Sequence, residues 1–310
     1  MNKPTPKIYC TTNWSTYNRA LINRGNIAIW FDPKTQWYAQ PKGKPGRNQT
    51  YSDTAIQCCL MIKSIFRLSL RMVTGFVQSL IKLCGLDWTA PDYSTICRRQ
   101  RYIDISICYQ KSSDGLHLLV DSTGLKFLGE GGWKRKKHQP EYRRQWRKLH
   151  IGIDAKTLQI RAVQFTTNNV SDSQVLGDLL DQIPLNEQID SVYTDGAYDT
   201  KQCRQVIADR QAHAVIPPRK NAKPCKDTKV HSLERNELLR TVKHLGRTLW
   251  KKWSGYHRRS LVETKMHCIK LLGDKLMARS FPSQVNEIHA RVAVLNIFTE
   301  LGRPHTQVTP

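Results

Sequence analysis

Near the turn dipeptide Asp114-Gly115 the apolar pattern of the chain changes from helical to strand-like. LHLLV (116–120) leads into Asp121. KLHIGID (148–154) and LQIRAVQF (158–165) follow, parted only by residues 155–157, and so read as a hairpin. A helix is predicted over about 172–183, with Val175, Leu176, Leu179 and Leu180 inward. Next come a strand near 190–194, a helix near 200–210, and a strand at HAVIP (213–217) that Pro217-Pro218 ends. A helix over about 258–274 follows a polar stretch, and a last one runs from Ser283 through Val285, Ile288, Val292 and Leu295 to Gly302. The order β-β-β-α-β-α-β, then helix, predicts an α/β domain: a mixed sheet flanked by helices.

The segment before Asp114 has another character. Residues 1–50 are polar, with Pro, Gly and Lys concentrated in PKGKPGRNQ (41–49), and read as a basic, partly flexible arm. Three helices are predicted after it. Ser52 or Asp53 caps one carrying Ile56, Cys59, Leu60 and Phe66; Ser69 caps a second carrying Val73, Phe76, Val77, Leu80 and Cys84, which Gly85 stops. The third opens near Asp92 and turns Tyr93, Ile96 and Cys97 inward, leaving Arg98, Arg99, Gln100 and Arg101 outward. Two apolar helices and a short basic one suit an all-α, helix-turn-helix-like domain, because one helix fits a major groove and Arg and Gln read base edges there. An ordinary bundle with a basic face is the plainer alternative. The expected division is an arm (1–50), a helical domain (51–112), an α/β domain (113–303) with a basic insertion at about 219–252, and a tail (304–310).

Charge narrows the partner. Lysine and arginine number 49 against 25 acidic residues, a formal charge of +24. Such an imbalance predicts attraction to a polyanion and steep salt dependence. The nine cysteines show no C-x-x-C pair and read as reduced thiols, the opening residues lack an apolar h-region, and no apolar run reaches membrane-spanning length. A cytoplasmic, nucleoid-associated protein with no membrane contact is expected. WKRKKHQPEYRRQWRK (133–148) sets eight basic residues against one Glu and interleaves Trp133, Tyr142 and Trp146. Its Lys134, Arg135, Lys136, Lys137, Arg143 and Arg144 are candidate phosphate contacts, with the aromatics suited to stacking on bases. A solvated charged loop is the alternative there.

Against this basic background three acids stand out. Asp121 and Asp195 each close a strand-like run, LHLLVD (116–121) and DSVYTD (190–195). Glu263 lies in a helical stretch where Tyr256, Arg259, Glu263 and Lys270 fall on one face, apart from an apolar stripe of Val262, Ile269, Leu272 and Leu276. Magnesium takes hard oxygen ligands, so carboxylates from separate elements suffice to hold it, and manganese is expected to substitute. Two such ions can activate a hydroxyl and stabilise the leaving oxygen of a phosphodiester. Arg259 and Lys270 suit phosphate oxygens, the first as a planar fork and the second as a point charge. A bare i, i+4 ion pair between Arg259 and Glu263, worth about 0.2–0.5 kcal/mol, is the bland alternative. Asp154 reads as a hairpin-turn residue and Asp199 as the cap of the next helix. The strand order is that of a ribonuclease H-like fold, whose first and fourth strands are parallel neighbours, so Asp121 and Asp195 are expected side by side at the carboxyl edge.

VDSTGLK (120–126), YTDGAYDT (193–200) and YHRRSLVETKMHCIK (256–270) together resemble the DDE transposases of bacterial insertion sequences, most nearly the insertion-sequence-five type. The last run fits that family's Y-x2-R-x3-E-x6-K signature at every defined position. The resemblance implies that Asp121, Asp195 and Glu263 form the catalytic, metal-binding triad and that Tyr256, Arg259 and Lys270 contact element-end DNA. It also implies that the N-terminal domain binds terminal inverted repeats, and that the enzyme cuts DNA strands and transfers them into target DNA. A homodimer in the synaptic complex is expected, since two ends must be joined. A ribonuclease H-like nuclease or junction resolvase, and a non-enzymatic repressor, are the rival readings.

Overall fold

Residues Tyr9–Thr11 (β1) and Thr306–Val308 (β8) pair antiparallel, Cys10 opposite Gln307, so sequence read as arm and tail forms a two-stranded sheet. The computed structural model describes residues 9–41, 43, 48–112, 114–129, 137, 145–226 and 228–308. It divides into one unit of Met1–Cys108 with Ala293–Pro310, and a second of Tyr109–Val292.

In the first unit, helices α1 (Trp14–Asn23) and α2 (Ile27–Trp30) occupy part of the expected arm. Their anchor is aromatic rather than periodic. Trp30, Phe31 and Trp37 are buried, Trp37 stacks on Trp88 with ring centroids 4.8 Å apart, and its indole N–H donates to Thr89 O at 2.8 Å. Rings spaced irregularly in sequence give no repeat to detect, which is why this segment read as polar arm.

Helices α3 (Asp53–Phe66), α4 (Leu70–Leu83) and α5 (Tyr93–Arg99) form where the sequence placed them. Ser52 Oγ caps α3 by accepting from Ala55 N at 3.0 Å. Gly85, at φ 62°, ends α4; its N–H donates to Lys82 O and that of Leu86 to Ile81 O, the paired bonds of a left-handed C-terminal stop. The inward face of α5 differs from expectation. Ile96 and Gln100 are buried, whereas Cys97 and Tyr93 are exposed. In so short a helix the buried row is i, i+4, and that row runs from Ile96 to Gln100.

The second unit holds the mixed sheet. Its strands are β2 (Leu116–Phe127), β3 (Arg147–Asp154), β4 (Ile160–Thr167), β5 (Ile189–Tyr193) and β6 (His213–Val215), in the spatial order β4-β3-β2-β5-β6. The pairs β2–β3 and β3–β4 are antiparallel; β2–β5 and β5–β6 are parallel, so the first and fourth strands are neighbours as expected. A short strand β7 (Lys275–Leu276) joins the far end of β2, so Leu276 is not part of the helical apolar stripe predicted for it. Gly115, at φ 78°, admits the chain to β2, and a Cβ there would overlap the Asp190 carboxylate.

Alternation along β2 divides its residues between two faces. Leu116, Leu118 and Val120 pack with Val175, Leu176 and Leu179 of α6 (Asp172–Asp181) and with Cys203 and Ile207 of α7 (Lys201–Asp209). Asp121 therefore points to the other face. The basic insertion folds into α8 (Val230–Leu245) and α9 (Arg247–Trp253), parted at Gly246. After a 3-10 turn over Tyr256–Arg259 comes α10 (Ser260–Leu271), which meets β2 and β3, and the last helix is α11 (Phe281–Leu301). Among the described residues no helix is long and apolar enough to cross a membrane.

Candidate metal and nucleic-acid site

The last residues paired between β2 and β5 are Leu119 and Tyr193. Two residues further on lie Asp121 and Asp195, so equal steps along parallel neighbours bring both carboxylates to one edge. They are held differently. Asp121 sits within β2 rather than at its end, because β3 keeps pairing past it, with Ile151 opposite. Asp195 follows β5, and its Oδ1 accepts from Ala197 N at 2.9 Å, capping the 3-10 turn Gly196–Tyr198. Burial raises the Asp121 carboxyl above the usual range; Arg259 and the Ser122 N–H pull it back, and nearby Asp195 adds to the rise.

The third acid arrives through an arginine. Arg259 Nη2 donates to Asp121 Oδ2 at 2.6 Å, and Nη1 donates to Glu263 Oε1 at 2.8 Å. Burial works to lower the guanidinium, but Asp121 and Tyr256 outweigh it and hold it above its ordinary value. Tyr256 and Arg259 belong to the 3-10 turn, so a single α-helical face does not extend back to them as predicted. The turn nevertheless delivers Arg259 onto the first turn of α10, while Lys270 in its last turn donates to Thr123 Oγ1 at 2.7 Å. Tyr256 packs against Trp250, with centroids 5.8 Å apart. Burial raises its phenol, Arg259 opposes, and Asp195, Asp121 and Glu263 raise it further, so it stands as a neutral donor beside all three acids.

Among the described residues no three His, Cys, Asp or Glu side chains stand close enough to hold an ion together, so the three acids do not close on one point here. The donor set still fits a hard divalent cation, because every candidate ligand atom is a carboxylate oxygen. Two of those carboxylates already converge on one cation, the Arg259 guanidinium.

The other predicted residues fare unequally. Arg98 and Arg101 are exposed, as is Lys137. Arg99 is engaged: it donates to Tyr51 O at 2.9 Å and ion-pairs with Asp53, because α5 turns it back toward the start of α3. Lys134, Arg135, Lys136, Arg143 and Arg144 lie outside the described residues. Asp154 serves its turn as expected, accepting from Lys156 N and the Thr157 hydroxyl.

Asp199 is not the cap. Thr200 caps α7, accepting from Cys203 N at 3.2 Å, and Asp199 is buried between Arg204 and Arg235, each 3.0 Å away. Its carboxyl stays below the usual range; burial pushes upward, but the two arginines prevail. Arg235 escaped the sequence reading because 36 residues separate it from Asp199. Arg219, which the sequence placed only in the basic insertion, donates to Gly196 O at 3.1 Å and Ala197 O at 2.8 Å and so clasps the turn after Asp195.

Two family models match the chain. Each is described as "Transposase DDE domain"; one covers residues 22–130 and the other residues 112–297, more than half of the chain. The second span contains Asp121, Asp195, Tyr256, Arg259, Glu263 and Lys270.

Proposed function

The chain belongs to the DDE transposases, a family of metal-dependent enzymes that cut nucleic acid and act on DNA, and we propose that it mobilises an insertion sequence of the insertion-sequence-five type. In this reading it binds the element's terminal inverted repeats, cuts the strand at each end, and joins the freed 3′-hydroxyl to target DNA. One observation carries it: Asp121 and Asp195 emerge at matched positions of parallel neighbours while Arg259 ties Asp121 to Glu263.

Asp121, Asp195 and Glu263 are the residues proposed to hold Mg2+, with Mn2+ able to replace it. When bound, such ions activate the attacking hydroxyl and stabilise the leaving oxygen. The chain's own groups orient the DNA. Arg259 offers a planar fork to a phosphate, Lys270 a point charge, and Tyr256 a neutral hydroxyl that donates a hydrogen bond. Both displacements are in-line phosphoryl transfers, so one set of acids serves both. The ribonuclease H-like unit supplies this chemistry. Residues 51–112 supply repeat recognition in a helix-turn-helix manner, with Arg98 and Arg101 turned toward bases or backbone. Two copies act together in the synaptic complex, in the cytoplasm at the nucleoid.

The test mixes purified protein, MgCl2 and linear DNA bearing candidate ends, then maps cut strands and joined products. A 3′-end cut at the element boundary followed by joining supports the proposal. Cutting without joining points to a nuclease or resolvase, and binding with neither reaction to a repressor.

A further inference from the structure

The network around Asp199 shapes a cavity that the carboxylate site does not use. Arg235, besides holding Asp199, donates to Lys223 O at 2.8 Å. Its neighbour Asn236 clasps Cys225 from both sides, Nδ2 to Cys225 O at 2.9 Å and Cys225 N to Oδ1 at 2.7 Å. These bonds hold residues 223–226 beside α8. The result is a cavity of about 390 Å³ lined by Asp199, Lys201, Lys223, Pro224, Cys225, Lys226 and Arg235.

The charge in this cavity is lopsided. Among the described residues its one carboxylate, Asp199, is already matched by Arg204 and Arg235. Lys201, Lys223 and Lys226 are exposed, and none pairs with an acid among the described residues. Lys201 is also the first residue of α7, at the positive end of the helix dipole. Ammonium groups around a small concavity suit a compact, multiply oxygenated anion, and they repel metal ions.

We propose that this cavity is a phosphate-binding pocket that holds a backbone phosphate of the DNA cut at the neighbouring carboxylates. The inference rests on the proposed function for its source of phosphate. Its position favours DNA over a free phosphate compound: Asp199 lies in the turn directly after Asp195, and Arg219 binds that same turn and reaches Asp199 Oδ2 through its N–H at 3.4 Å. DNA seated in the pocket thereby bears on the backbone that carries Asp195.

Cys225 supplies a reporter that needs no mutation. Wild-type protein is alkylated with N-ethylmaleimide, alone or with linear duplex, and Cys225 modification is followed by peptide mass spectrometry. Duplex is expected to slow alkylation of Cys225 several-fold, and millimolar inorganic phosphate to do so far less. In parallel, the variant Lys201→Gln/Lys223→Gln/Lys226→Gln is titrated with labelled duplex across a salt series. The slope of log K against log salt is expected to shrink by about 1, the loss of one phosphate contact. Unchanged alkylation at saturating duplex, or an unchanged slope, overturns the pocket. Protection by inorganic phosphate alone overturns its assignment to DNA. Failure of the wild type to bind or cut DNA sinks the functional reading as well, whereas normal cutting with Cys225 unprotected sinks the pocket only.

Discussion

Arg259 lies on the carboxylate of Asp121, Nη2 to Oδ2 at 2.6 Å, across 138 residues of sequence. That oxygen is one a divalent ion would need, and the guanidinium's other nitrogen is on Glu263. On the proposed metal assignment, arginine and metal would compete for the same atoms. Arg259→Gln is expected to bind Mn2+ about tenfold more tightly without DNA, the equivalent of one charge-assisted hydrogen bond of about 1.5 kcal/mol. The same variant is expected to cut DNA more slowly, having lost a phosphate donor. Calorimetric titration with MnCl2 reads the first effect, and weaker binding by the variant means that Arg259 organises the acids instead of competing for them.

Removing any one acid separates binding from chemistry. Asp121→Asn, Asp195→Asn and Glu263→Gln each keep the size of the side chain and lose a charged ligand. Each is expected to lower cleavage by at least about 10²-fold, since partners one shell further from a metal already cost 10–100-fold. Duplex affinity at fixed salt is expected to hold. A variant that cuts at the wild-type rate in MgCl2 removes its residue from the proposed metal set.

Much of the candidate site's layout was legible in the sequence. Short aliphatic or β-branched runs closing on Asp121 and Asp195 mark two strands, and the β-β-β-α-β-α-β order matches a ribonuclease H-like sheet whose first and fourth strands are parallel neighbours, so the sheet edge could be read from the sequence. Glu263 was legible through its spacing from Arg259. The failures were of kinds that period cannot see. Trp30, Phe31 and Trp37 bury singly in a segment without repeat, and the 3-10 turn at Tyr256–Arg259 changes the angle per residue just where a helical wheel assumed it constant. Asp199 was misread because a carboxylate before a helix looks like a cap, whereas Arg235 lies far along the chain and no local rule pairs the two.

Beside β2, His150 of β3 is fully buried, its Nε2 3.0 Å from Thr166 Oγ1 and its Nδ1 3.7 Å from Asp172. Burial lowers its pKa to about 4, with Asp172 opposing and Lys148 assisting. The unfolded chain takes up this proton near its ordinary 6.5, well before the folded chain does. Stability from this residue is thus complete above about pH 6.5 and is lost as pH falls toward 4, by up to about 3 kcal/mol. Urea midpoints at pH 7 and 4.5 check it: the wild type is expected to lose more than His150→Gln between the two, and parallel loss in both proteins assigns the acid sensitivity elsewhere.

Asp199 is the acid whose removal should cost most in stability. Its carboxylate is fully buried, and Arg204 and Arg235 are nearly so, at 3% and 11% side-chain exposure. Asp199→Ala leaves two buried guanidinium groups facing each other without a counter-charge, and breaking a buried pair in this way costs about 3–5 kcal/mol. Arg235→Ala leaves Asp199 still paired with Arg204 and should cost less. Chemical denaturation of the two variants tests this ranking. If Arg235→Ala is the worse of the two, the structural weight rests on its bonds to Lys223 and on the fold of α8, and the carboxylate is secondary.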